Sequence, residues 1–288
     1  MFADAEIVGL LRAKFVTVAV DEWYQHRQKD AEGEFYRKVA HQGPRNKPNE
    51  TTQGLYAFTA DGTLVGYTNH RSADRVKPLL KKALEAAADV EAPAVERGKA
   101  DARFERTLPE GAAVVDVTSK VLGGYGEPKT AWEKAYQTSL GRDHLWIRRD
   151  EVLALEKGGM PESLARRMVR FHFIDNTRGE PPMWAADEVK ELSLKLEGGR
   201  LAGKVRLETA SGDRGFEAAV AGFVEAKDGK LARFDVVAKG QFRGEGRYTQ
   251  NAPEGRFPFA VGFALADPGD AASKVPPQGA RDLRDYLR

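Results

Sequence analysis

The sequence predicts an α+β protein in two parts: an N-terminal α/β region, then an antiparallel β-rich region carrying a few helices. Three observations predict it. Up to residue 88, amphipathic helical stripes alternate with short β-branched runs. From residue 169 onward, apolar residues recur at every second position, in runs separated by glycine-containing turns. Between the two, residues 89–111 are highly charged and punctuated by Pro93, Gly98, Pro109 and Gly111, the composition of a linker. A chain of 288 residues is also long for one hydrophobic core.

The first region, residues 1–88, opens with a helix over 3–14 whose apolar residues Ile7, Val8, Leu10 and Leu11 lie at helical spacing. Residues 15–20 (Phe-Val-Thr-Val-Ala-Val) form a continuous apolar run, the pattern of a strand buried on both faces. Residues 22–41 read as a second helix, with Trp23, Phe35, Tyr36 and Val39 among charges. After a Pro/Asn-rich loop at 43–50, residues 55–58 and 63–67 form a hairpin whose turn signal is Asp61-Gly62. Ser72 then caps a helix to about Ala88, with Val76, Leu79, Leu80, Ala83 and Leu84 on one stripe. Pro78 either kinks this helix or marks its first turn.

The stretch Phe2-Ala3-Asp4-Ala5-Glu6-Ile7-Val8, then Leu10-Leu11, then Phe15-Val16-Thr17-Val18-Ala19-Val20-Asp21 resembles thioredoxin-like proteins. The hairpin and last helix are similar to the closing β-β-α unit of that fold. The resemblance covers residues 2–88 and implies an α/β domain. In that family the Cys-x-x-Cys precedes the first of these segments, and a cis-proline stands where this chain has Thr51-Thr52-Gln53-Gly54. No catalytic residue therefore carries over.

The second region, residues 112–288, begins with a strand at 113–117, the glycine-rich Gly123-Gly124-Tyr125-Gly126, a helix over 129–140 and a strand at 144–148. Two short helices follow at 150–157 and 161–167, split by Gly158-Gly159. Period-two alternation then runs through Val169, Phe171 and Phe173; Leu192, Leu194 and Leu196; Val205 and Leu207; and Phe216, Ala218, Val220, Gly222 and Val224. It continues through Phe234, Val236 and Ala238, and then Phe257, Phe259, Val261, Phe263 and Leu265. This is an antiparallel meander with one buried face, leaving a curved sheet, a sandwich and a barrel as the options.

Composition removes several function classes. With no cysteine there is no disulfide, thiolate metal site or cysteine nucleophile. None of the five histidines stands three or four residues from another, so no helix face offers a histidine metal pair, and no metal or cofactor is expected. A net charge of +2 without a long basic run gives no footprint for nucleic acid. No apolar run approaches the roughly 20 residues of a membrane span. Without a signal-peptide pattern the expected location is cytoplasmic; a signal already removed would leave a periplasmic or secreted setting open. The expected partner is a small molecule or another protein.

Two segments are candidate sites. Residues 170–184 carry His172, Asp175, Arg178 and Trp184 at the end of an expected strand: an acid/base pair, an anion-holding guanidinium and an aromatic wall. The same residues also read as a structural loop, with Arg178 paired to Glu180 and Trp184 plugging the end of the sheet. Residues 21–27 carry Trp23, Tyr24 and His26 beyond the C-terminal end of the first expected strand, where open α/β sheets bind ligands; the alternative is a capped first helical turn. The favoured expectation is a non-catalytic binding or interaction protein. The alternatives are a hydrolase or isomerase using His172, Asp175 and Arg178 on a small anionic substrate, and a shortened form of a redox-active thioredoxin-like protein.

Overall fold

A computed structural model describes residues 4–47, 50–70, 72–88, 90–94, 98–104 and 106–288. The expected features at Phe2, Ala3, Pro48 and Asn49 lie outside the described residues. The chain divides into two compact units, Met1–Glu105 and Arg106–Arg288.

Unit 1 contains α1 (Ala5–Lys14), α2 (Glu22–Gln25), α3 (Ala31–Ala40), the antiparallel hairpin β1 (Leu55–Phe58) and β2 (Leu64–Thr68), and α4 (Ala73–Ala87). Asp4 caps α1 by accepting from the Ile7 N–H. Ile7, Val76 and Leu80 form the core, where α1 meets α4, with Phe15 and Leu55 packed beside them. Pro78 lies inside α4, well past its first turn, and the helix continues through it.

Two expectations for this unit are corrected. The run 15–20 is not a buried strand: it belongs to no described sheet, with Val16 94% and Val18 68% exposed. A strand needs a neighbour to take its backbone bonds, and the only sheet described in this unit is the hairpin, which does not pair with it. The single helix over 22–41 is two helices, because the Asp30 side chain caps a new start by accepting from the Gly33 N–H. Gly33 is required there: a Cβ would stand 2.4 Å from the Gln28 carbonyl oxygen.

Unit 2 is one seven-stranded antiparallel sheet in the order β4-β3-β9-β8-β7-β6-β5. Its strands are β3 (Ala113–Val121), β4 (Gly141–Ile147), β5 (Val189–Glu197), β6 (Arg200–Glu208), β7 (Gly215–Lys227), β8 (Lys230–Arg243) and β9 (Arg256–Leu265). The meander expected from the alternation is β5 through β9. The hairpin β3–β4 adds to β9, with Val115 opposite Leu265 and Val121 opposite Phe259. Between β3 and β4 lies α5 (Ala131–Thr138); between β4 and β5 lie α6 (Arg149–Glu156) and α7 (Glu162–His172). A four-residue helix, α8 (Leu283–Tyr286), ends the chain.

The alternating apolar residues form one core: Phe216, Val220, Phe234, Val236, Phe257, Phe259 and Phe263 all face inward with Leu164, Met168 and Val169 of α7. Helix α7 packs against both β4 and β5, the two edge strands. Seven flat strands span about 29 Å and a helix only about 10–12 Å, so the sheet must curl around α7. β4 and β5 are not paired with each other, so the sheet is curved but open. Glycines permit the curl: a Cβ at Gly203 would lie 1.8 Å from the Ser193 carbonyl oxygen, and one at Gly240 1.8 Å from that of Glu217.

One further expectation fails here. Val169, Phe171 and Phe173 do not begin the meander; Val169 and Phe171 belong to α7, and Phe173 caps its end. Val169, Phe171 and Phe173 alternate with Arg170 and His172, which mimics a strand locally, whereas the exposed Glu162 and Arg166 and the half-buried Arg170 mark the polar face of the helix.

Candidate functional site

His172 is the last residue of α7 and is 1% exposed. Its Nε2 lies 3.0 Å from Tyr286 Oη. Tyr286 Oη also accepts from the Trp146 main-chain N–H at 3.2 Å, so its own proton is directed at His172 Nε2. The His172 Nδ1–H then faces Asp143, whose Oδ2 is 3.2 Å away but off the hydrogen-bond line. Burial holds the Tyr286 hydroxyl well above its ordinary pKa. The result is a chain of Asp143, His172 and Tyr286 enclosed in protein, with Phe171 and Trp146 packed around the tyrosine ring.

Asp175, also buried, does not meet His172. Its Oδ1 accepts from the Thr177 N–H and hydroxyl, and its Oδ2 pairs with Arg178 Nη2 at 2.7 Å. Arg178 donates further to Thr249 O at 3.1 Å and to Tyr125 Oη at 2.7 Å. Glu180 pairs with Arg281 instead of Arg178. Trp184 lies in the core at 1% exposure, its indole N–H donating to Phe173 O and the Arg214 guanidinium stacked 3.9 Å from its ring centroid. The 170–184 segment thus brings Asp175 and Arg178 together and leaves His172 and Trp184 in separate surroundings.

Three connections converge around Arg178: 122–130, 173–184 and 244–255. Gly124, at φ +97°, approaches Pro253 and Phe257 so closely that a Cβ would stand 3.0 Å from each. Gly179 lies against the Tyr248 carbonyl, and the Ser139 hydroxyl donates to Thr177 O. From this base rise aromatic rings. Tyr125 meets Tyr136 edge-on at 5.9 Å, and Tyr136 meets Trp132 at 6.2 Å. Trp132 is 60% and Tyr248 63% exposed. Burial raises the Tyr125 hydroxyl pKa despite the adjacent Arg178 charge. No sequence pattern points to Asp143, Tyr286, Trp132 or Tyr136. For Tyr125 the signal was present, as the aromatic residue inside the glycine-rich 123–126 loop.

In unit 1, Tyr24 is fully buried and packs edge-on against Trp23 and Phe104, so the segment around Phe104 belongs with this unit. Asp101 reinforces that, its N–H donating to Asp30 and its carboxylate accepting from the Lys29 N–H. His26 Nε2 lies 3.2 Å from the Thr52 hydroxyl, which donates to Glu22 at 2.9 Å. Tyr36 bonds the same hydroxyl. With its one proton given to Glu22, Thr52 can only accept from His26 and Tyr36. Thr52 is itself 4% exposed, so this hub joins α2 and α3 to the segment before β1. Burial, above all, lowers the His26 pKa.

Among the described residues no group of three His, Asp or Glu side chains is arranged to hold a metal ion, and no helix is long and apolar enough to cross a membrane. Comparison with protein-family models, with curated proteins and with solved structures found no match to this chain.

Proposed function

We propose that this chain is a non-catalytic binding protein whose β-rich unit takes a ligand or partner at the loop-bearing end of its sheet. One observation carries this reading. At that end the ionisable groups Asp175 and Arg178 are turned inward onto each other and onto loop backbone, while Tyr125, Tyr136, Trp132 and Tyr248 form the outer layer. Aromatic rings set on a rigid ionic base supply contact area at low entropic cost. Carboxylates and histidines as deeply buried as Asp175 and His172 do not reach a substrate.

Unit 1 we read as a thioredoxin-like domain serving as a platform. Its order of three helices, a hairpin and a last helix supports that reading.

The rival reading is a hydrolase or isomerase using His172, and it is favoured only by the Asp143–His172–Tyr286 chain. Fluorine NMR of protein carrying 5-fluorotryptophan separates the two. A fragment library that shifts the Trp132 resonance, and loses that effect on Tyr248→Ala, supports binding at the rim. Ligands that move only Trp146 and Trp184 would overturn it, as would a hydrolytic activity abolished by His172→Gln in a folded protein.

A further inference from the structure

The outer face of the seven-stranded sheet is packed by α8 at β4 and the start of β3, where Val114 and Trp146 join Leu283 and Tyr286, but it is exposed along β6, β7 and β8 and carries an ordered row of charge there. Register places Lys204 of β6 opposite Ala219 of β7, Ala219 opposite Lys239 of β8, Lys239 opposite Ala260 of β9, and Ala260 opposite Lys120 of β3. Lysine and alanine therefore alternate across five strands. Neighbouring cations are neutralised locally: Arg206 and Arg243 pair with Glu208, Arg256 with Glu217, and Arg233 with Glu225 and Asp235. Lys204 and Lys239 are exposed and meet no carboxylate among the described residues. Lys120 donates only to the Thr138 carbonyl.

Beside this row runs a second one, Ala202, Ala221, Val237 and Gly262, in register across the same strands. Val237 is 48% exposed and the row is otherwise small and flat. We propose that this face docks an acidic amphipathic helix of a partner protein, lying across the strands with carboxylates on the lysine row and an apolar stripe on the alanine row.

The spacing supports a helix. Lysines two strands apart stand about 10 Å from each other. Seven residues of α-helix advance about 10.5 Å and return to nearly the same face. The two rows are separated by two residues along each strand, about 7 Å, comparable to the offset between adjacent stripes on a helix. An added strand would seek an edge, not a face. A nucleic acid strand would need rings between its phosphate contacts, and the positions between the lysines are alanines. The row's Lys120 adjoins the end of α5, which carries the rim residues Trp132 and Tyr136, so the test rests on Lys204 and Lys239 of β6 and β8, and the two readings fail separately.

The test uses the full chain and a labelled helical peptide of about three heptads, with glutamate at one heptad position beside a leucine stripe. Its comparators are the same peptide with lysine for glutamate, an oligo-dT strand, and phosphatidylserine-containing vesicles. Fluorescence anisotropy is read at low and high salt. The acidic peptide is expected to bind more weakly as salt rises. It should lose about tenfold or more in affinity on Lys204→Glu/Lys239→Glu and under about twofold on Lys190→Glu/Lys227→Glu, an equal charge change off the row. Circular dichroism unchanged in both variants excludes misfolding. The proposal is overturned if the acidic peptide does not bind, if the lysine peptide binds as well, or if both double variants weaken binding equally. Tighter binding of oligo-dT or vesicles by the same lysines overturns it too, reassigning the row to a nucleic acid or a membrane surface.

Discussion

Replacing Arg167 by leucine tests how unit 2 holds its chain end. Arg167 and Glu151 are each 1% exposed in their side chains. The guanidinium donates to both Glu151 oxygens, at 2.6 and 2.9 Å, and to the main-chain carbonyls of Trp146 at 3.1 Å and Tyr286 at 2.7 Å. Arg167→Leu leaves Glu151 buried with the Ser163 hydroxyl, the Arg148 N–H and, at 3.4 Å, the half-exposed Arg148 guanidinium in place of its bidentate partner. Removing one partner of such a pair costs about 3–5 kcal/mol, a large share of the roughly 5–15 kcal/mol that holds a domain folded. For a unit of this size that is a fall in Tm of roughly 6–20 °C. Arg167→Leu combined with Glu151→Leu should recover much of the loss, because no uncompensated charge remains.

The pH dependence should reverse sign between the wild type and the single variant. Burial alone pushes the Glu151 carboxyl up, but its bonds to Arg167 outweigh this and hold it below the ordinary range. A lowered folded pKa gives stability that is present above about 4.5 and lost as pH falls through the folded value. In Arg167→Leu the largest opposition to burial is gone and only Ser163 and Arg148 still favour the carboxylate, so the folded pKa rises, and that variant should gain stability as pH falls towards 4.5. Urea unfolding followed by tryptophan fluorescence between pH 4 and 7 reads both effects. A single variant costing less than about 1 kcal/mol, or a double variant no more stable than the single, would refute the reasoning.

Three further outcomes are expected. Tyr286→Phe leaves the Trp146 N–H and the His172 ring without their shared hydroxyl, so urea unfolding should show a loss of about 1–3 kcal/mol. Gly141→Ala would set a Cβ 1.7 Å from Asn176 Oδ1 and 2.3 Å from Ser119 Oγ; differential scanning calorimetry should show about 1–3 kcal/mol of destabilisation from forcing that contact apart. For His26 the folded pKa lies below the ordinary 6.5. Its unfolded form then takes up the proton first, so unit 1 should gain stability as pH rises through the window just below about 6.5. His26→Gln should flatten that slope in unfolding midpoints measured at pH 5 and 7.

What the sequence made legible is what local pattern controls. The inward residues of β7 and β8, Phe216 through Val224 and Phe234 through Ala238, follow from alternation alone, because side chains in a strand must change face at each step. The Asp61-Gly62 turn is likewise local, with Gly62 at φ +83°. The failures at residues 15–20 and at His172 share a cause in sequence-distant partners. Residues 15–20 have strand composition, but a strand exists only where a neighbour takes its bonds. His172 was matched with Asp175 because they are close in sequence, whereas its real neighbours, Asp143 and Tyr286, come from β4 and the chain's end. Arg178 has two carboxylates close by in sequence, and the loop geometry turns it to Asp175, three residues back, and not to Glu180. The lysine row was illegible for the same reason: its members lie on β3, β6 and β8, and only register aligns them.

The pairing of β3 with β9 has a consequence for how the protein is made. Val115 finds its partner Leu265 only after every strand between them in the chain has been made. At about 5–20 residues per second, the ribosome needs on the order of 10–30 s to travel between them. Through that interval the β3–β4 hairpin has emerged with Val115, Val117, Leu145 and Ile147 lacking the sheet that buries them. The nascent chain therefore carries an apolar hairpin in waiting, and its yield in a cell should depend on how well chaperones shield that hairpin until β9 arrives.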